Sequence, residues 1–165
     1  MGRNKGLGKG THGSKKRKVL ALVDRDTKQA KSVVMSKTTI EALQPVIAAN
    51  VERKAQLMTD GARQYKVIGK DYADNHVVNH THGEYVLRDN PEIHTNTVEN
   101  YFSVFKRGRK GTYQHCAHNH LNRYLAEFDF RYNHRSALKV NDTERAEALL
   151  AGIVGKRLTY ERTVE

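Results

Sequence analysis

The stretch KVLALVDRDTKQAKSVVMS, residues 18–36, constrains the fold of this 165-residue chain more than any other. Its first half, KVLALVDRD (18–26), is an apolar run that ends in turn-forming acids and reads as a largely buried strand. Its second half, QAKSVVMS (29–36), is also short and apolar, so Asp26, Thr27 and Lys28 become the connection of a β-hairpin.

The segments that follow switch period. SKTTIEALQPVIAANVE has helical spacing at Ile40, Leu43, Val46 and Ile47, with Ser36 or Thr38 as its N-cap and Pro45 as a point of kinking. AQLMTDG (55–61) is a short apolar run stopped by Asp-Gly, which reads as a further buried strand. The resulting order, β-β-α-β, marks an α/β domain. Residues 62–93 hold a weaker helix around ARQYKVIGK and a short strand at NHVVNH, followed by a loop, THGEYVLRDNPEIHT. Helices are expected over about 96–107 and 118–133. NDTERAEALLAGIVGKRL reads as a last amphipathic helix in which Asn141 and Glu144 form a capping box. Tyr124, Phe128 and Tyr132 repeat at helical spacing and are expected in the core.

Several classes are excluded. No apolar run approaches the roughly 20 residues of a membrane span. The N-terminal stretch MGRNKGLGKGTHGSKKRKV lacks the apolar centre of a secretory signal, so a cytoplasmic location is expected. Cys116 is the single cysteine, which rules out an intrachain disulfide and any Cys cluster. The nearby histidines in HCAHNH match no zinc module by spacing. The net charge of +11 favours an anionic partner, nucleic acid above all. The basic, Gly-rich arm of residues 1–17, with Lys15, Lys16 and Arg17 at its end, reads equally as a phosphate-contacting segment and as a solubilising tail.

Two acids stand where chemistry could use them. Asp60 closes a buried strand just before Gly61, and open α/β sheets build their sites at the carboxyl edge of strands. The competing reading is a plain Asp-Gly turn. Glu99 lies in HTNTVENYFSVFKRG (94–108). At about 100° per residue, Val98, Tyr101, Phe102 and Phe105 form one face, and Asn96, Glu99, Ser103 and Lys106 form a polar stripe beside it. Glu99 and Lys106 are then two turns apart, roughly 10.5 Å along one side. A first-turn acid and a last-turn base also complement the helix dipole, which accounts for both charges without any function. The chemistry that would use both acids is metal-assisted phosphoryl transfer. Carboxylates hold paired divalent ions, Mg2+ fits the oxygen donors, and Lys106, Arg107, Arg109 and Lys110 bind the polyanion.

LMTDGARQY, VVNHTHGEYV, HTNTVENYFSVFKRGRKGTY and HLNRYLAEFDFRYNHR follow one another in the order and spacing of a known family. In these motifs the chain resembles the ISXO2-like transposase domain, the DDE domain of IS1595-type bacterial insertion sequences. The resemblance implies a ribonuclease H-like mixed sheet flanked by helices, and cleavage and strand transfer at transposon ends with two Mg2+ ions. It implies that Asp60 and Glu99 are metal ligands, that Lys106 is the family's basic residue seven positions on, and that Asn96 is a reserve third ligand. It also implies terminal-repeat and target DNA as partners, in a homo-oligomeric complex without a membrane.

On this reading residues 18–136 are the catalytic domain, and 137–165 are a C-terminal helix and tail. Arg131 and Arg135, in a helix matching the family's pattern, read equally as residues that contact DNA or brace the site and as a solvated helix face; His80 and His82 fall in a matching loop, with a role near the site or in structural hydrogen bonding. One departure stands out. The family's first acid lies on a first strand in a DET-like motif, and MGRNKGLGKGTHGSKKRKVL resembles the connection after it. Asp24 and Asp26 belong to the next strand and are poor substitutes. The expectation is a chain truncated at its N-terminus, without the first strand and one metal ligand, and impaired in catalysis. The alternative is a non-catalytic nucleic-acid-binding remnant.

Overall fold

The computed structural model describes residues 17–78, 86–87, 90–113, 116 and 118–156. The expected hairpin is formed by β1 (Lys18–Val23) and β2 (Ala30–Met35), antiparallel, with Lys18 opposite Met35 and Val23 opposite Ala30. Its turn is made by Asp24, whose carboxylate accepts from the Asp26 amide at 2.9 Å and the Thr27 hydroxyl at 2.7 Å. Lys28 takes a left-handed φ of 56° to re-enter the ladder.

Helix α1 (Ile40–Ala48) starts from Thr39, not from Ser36 or Thr38, because extended backbone persists until the first core-facing residue, Ile40. Strand β3 (Gln56–Asp60) pairs in parallel with β4 (Asp74–Val78), with Asp60 opposite Val78. The crossover between them is α2 (Arg63–Ile68) and a single 3-10 turn, Gly69–Asp71. Gly69 leaves room there for the Asn75 side chain: a Cβ would lie 2.1 Å from Asn75 Nδ2 and 2.7 Å from Asn75 Cβ, so Asn75 would have to shift.

The segment read as a loop contains a second antiparallel pair, β5 (Val86–Leu87) and β6 (Asn90–His94). Pro91 obscured it, but Pro is tolerated in a short pair with an irregular register. Next come α3 (Asn96–Gly111), a 3-10 turn at His118–His120, and α4 (Leu121–Asn133). After a further 3-10 turn, Ser136–Leu138, α5 (Asp142–Ala151) closes the described part. The capping box of Asn141 and Glu144 is present, but the helix stops at Ala151, and none of its residues is buried.

The class is α/β, but the described strands are not joined into one sheet. Among the described residues they pair as three two-stranded ladders. The β1–β2 hairpin is covered on both faces. Leu20, Leu22, Val33 and Met35 pack on Leu43 and Ile47 of α1 and on Ile68 and Tyr72, with Leu57 of β3 against the same cluster. On the other face, Val19, Ala21, Val23, Ala30 and Val34 pack on Tyr101 and Phe105 of α3 and on Leu121, Leu125 and Phe128 of α4. The alternation along β1 is what a doubly covered strand requires. Phe128 and Tyr132 join this second cluster, whereas Tyr124 stacks edge-on with Tyr113 at 4.8 Å. No helix among the described residues is long and apolar enough to cross a membrane.

Candidate active site

Helix α3 presents the predicted stripe. Tyr101 and Phe105 are buried, Val98 and Phe102 are half-buried, and Asn96, Glu99, Ser103 and Lys106 are exposed beside them. Tyr101 is fixed by a hydrogen bond from its hydroxyl to Asp129, and burial followed by this bond raises its phenol well above the ordinary range. The buried face therefore sets the direction of the stripe. An open groove runs along it, lined by Glu99, Phe102, Ser103, Lys106, Arg107 and Lys110. The helix continues one turn past the predicted end, so Arg109 and Lys110 are helical and, like Lys106 and Arg107, exposed.

Glu99 is anchored at the start of α3. The Thr95 hydroxyl donates to its Oε1 at 2.8 Å, and the Glu99 amide donates to the Thr95 carbonyl at 3.1 Å. Thr95 itself is buried. Asp60 ends β3 at the carboxyl edge of the parallel pair, exposed, with its Oδ1 accepting from the Ala62 amide at 3.1 Å. That bond makes the turn into α2, so the turn reading and the strand-edge placement are both realised. Asp60 is near enough to Tyr65 to act, after burial, as a second cause of its raised phenol.

Asp60 is not among the walls of the α3 groove, and no group of three or more His, Cys, Asp or Glu side chains among the described residues is placed to hold a metal. Asp24 is committed to its own turn. Hydrogen bonds from the Thr27 hydroxyl, then the Asp26 and Thr27 amides, hold its carboxyl below the usual carboxylate range against the opposing effect of burial.

The other predicted residues are placed as follows. Arg17 is exposed before β1, while Lys15, Lys16, His80 and His82 lie outside the described residues. Arg131 pairs with Glu127 one turn back on the solvent side of α4, at 2.9 Å. Arg135 stacks 4.0 Å above the Tyr132 ring and donates to the Lys28 carbonyl at 3.2 Å, which ties the hairpin turn to the end of α4. Two polar residues not singled out in the sequence, Thr95 and Asp129, turn out to hold the site helix. Their signal was only their position, one before the helix and one a helical turn from Tyr132.

The molecule is thus a mixed α/β domain that sets an acid–base helix stripe, ending in exposed cations, beside a doubly covered hairpin. The chain belongs to the ISXO2-like transposase domain family, whose family model matches residues 2–133. No curated protein and no solved structure matches the chain.

Proposed function

We propose that the chain acts in DNA transposition by Mg2+-dependent phosphoryl transfer at the ends of an insertion sequence, with Asp60 and Glu99 as the acids that hold the metal. The observation that carries this reading is the α3 stripe. An anchored carboxylate and exposed cations share one groove, in a member of a transposase family. Asp60 and Glu99 offer the hard oxygen donors that Mg2+ takes, and both face solvent, as a DNA-accessible site requires. When bound, the metal supplies charge stabilisation at the phosphate and a more acidic water or hydroxyl. Lys106, Arg107 and Lys110 hold the DNA backbone against the groove, and Thr95 orients Glu99. Asn96, exposed in the first turn of α3, is the reserve oxygen donor.

The test is strand cleavage of DNA carrying the element's terminal repeats, with Mg2+ and with EDTA. Cleavage that needs Mg2+ and falls at least about a hundredfold in Asp60→Ala and Glu99→Ala, with DNA binding retained, supports the reading. Cleavage unaffected by both substitutions overturns it. A non-catalytic DNA-binding role is favoured by a different observation, the four exposed cations at the end of α3. It predicts binding without any metal-dependent cleavage.

A further inference from the structure

The groove along α3 has one wall residue that neither charge nor metal binding accounts for. Phe102 lines it with Glu99, Ser103, Lys106, Arg107 and Lys110, and is the single aromatic among its described walls. The core is carried by its neighbours: Tyr101 and Phe105 are 0% and 7% exposed, while Phe102 packs at the rim of the same cluster and stays half-buried. Its ring stands nearly perpendicular to Tyr101, at 82° and 5.5 Å between centres. A contact of that kind covers one side of a ring at most. The remaining surface of Phe102 opens into the groove.

Helix geometry sets the order of these groups. At about 1.5 Å and 100° per residue, Phe102 stands about 4.5 Å along the axis from Glu99 and about 60° round it, toward the buried face. Lys106 follows about 6 Å further on, and Lys110 about 6 Å beyond that. A strand lying along the groove therefore passes an anchored acid, then an aromatic ring, then two cations. We propose that the DNA strand in this groove carries an unpaired nucleotide, whose base stacks on Phe102 while Lys106 and Lys110 hold the phosphates beside it.

The substrate class follows from the ring. Inside a duplex each base shows only its edge in the grooves, and its faces are covered by neighbouring bases. A phenyl ring can meet such an edge only at a thymine methyl, whereas every unpaired base offers it a π-face. Bases already out of the stack cost least to present, so overhangs, frayed ends and mismatches are the expected ligands. Cations alone would not make this distinction, since paired and unpaired strands both carry phosphates. The inference rests on the reading of α3 as the face that meets DNA, and on no part of the metal chemistry.

Binding is measured on the whole chain without divalent metal, so that a failure of the proposed cleavage leaves this test intact. The probes are a blunt duplex of mixed sequence and the same duplex with a short unpaired overhang, at equal salt, since stacking tolerates any base. The overhang probe is expected to bind at least about fivefold more tightly. Phe102→Leu keeps an apolar side chain at the rim of the core and is expected to bring that ratio close to one, while Phe102→Trp is expected to restore it. A 5-iododeoxyuridine in the overhang, irradiated in the complex, is expected to join Phe102, and the same base placed mid-duplex is not. Urea midpoints show whether the leucine variant is folded; if it is not, the parent's affinity ratio and cross-link decide. Equal affinity for the two probes overturns the proposal, as does a preference that survives Phe102→Leu or a cross-link that joins another residue instead. Absence of binding to either probe overturns the reading of α3 as well.

Discussion

Asn133 holds Ala30 by two hydrogen bonds, accepting its amide at 2.7 Å and donating to its carbonyl at 2.9 Å. A side-chain amide thereby imitates a neighbouring strand at the outer edge of β2. One turn back on α4, Asp129 takes the Ser32 amide and hydroxyl and also the Tyr101 hydroxyl. The two residues close an edge that would otherwise invite pairing with another chain. They also lock α3 and α4 to the hairpin that orients the site helix.

Asn133→Ala removes both partners of Ala30 at once. It is expected to lower unfolding stability by about 1–3 kcal/mol, because a part-buried amide and carbonyl lose their bonds. Chemical denaturation measures this. Asn133→Asp keeps an acceptor but loses the donor, and should fall between the two. Equal stability of all three proteins would show that the bond pair contributes nothing.

Tyr101 makes the fold sensitive to alkali. Its phenol is raised above the ordinary 10.0 by burial first and by the Asp129 hydrogen bond second. A raised folded-state pKa gives stability that is complete below the unfolded value and is lost as pH rises above it. Urea midpoints should therefore hold up to about pH 10 and then decline. In Tyr101→Phe the decline should be shallower, although Tyr65 and Tyr113, raised in the same direction by burial, still contribute. An unchanged alkaline slope in the variant would remove Tyr101 from this account.

Asp24 gives the opposite sign. Its carboxyl is held below the ordinary 3.8, chiefly by the Thr27 hydroxyl. Its contribution is present above that value and lost as pH falls through the lowered folded-state pKa. Asp24→Asn should cost about 1 kcal/mol near neutrality and progressively less below about pH 4, seen as converging urea curves. DNA cleavage by the chain should survive the substitution, since the carboxylate is occupied by its own turn. Loss of cleavage with normal stability would instead make Asp24 a metal ligand.

The sequence revealed the parts that depend on period and turn chemistry. The hairpin at 18–36, the capping box at Asn141 and the two-faced character of α3 all follow from local patterns, and the structure contains each. The β5–β6 pair was hidden because a two-residue strand has no period and Pro91 argues against a ladder. The bonds from α4 to β2 were hidden for another reason. Asp129 and Ser32 are 97 residues apart, and nothing in either neighbourhood marks them as partners. At the candidate site, the Glu99–Lys106 stripe was readable from helical geometry, while the hold on Glu99 by Thr95 depends on where the chain enters the helix.

That hold makes Thr95 a positioning residue in the proposed reaction. Thr95→Val keeps the shape and removes the donor, and is expected to lower Mg2+-dependent cleavage roughly tenfold or more. Thr95→Ser keeps the hydroxyl and should recover most of the rate. The apparent Mg2+ requirement should rise in the valine variant and not in the serine one, which a merely structural role would not produce. If both variants cleave like the parent, Thr95 does not orient the acid.

The cations of α3 divide into two groups by position, and DNA binding should separate them. Lys106 shares the polar stripe with Glu99 and lines its groove, as does Lys110, whereas Arg109 is exposed outside the groove walls. Each phosphate contact released should lower the steepness of the salt dependence by about 0.9 in log–log terms. Lys106→Ala and Lys110→Ala are each expected to reduce that slope by about one unit, and the double substitution by about two, on any duplex sequence. Arg109→Ala should weaken binding only through the general field of the helix end and leave the slope nearly unchanged. Glu99→Ala removes a negative charge from the same groove, so it should tighten binding in the absence of Mg2+ while abolishing cleavage. Weaker binding in Glu99→Ala without metal would mean that DNA does not enter the groove along α3, and the placement of the substrate would have to be abandoned.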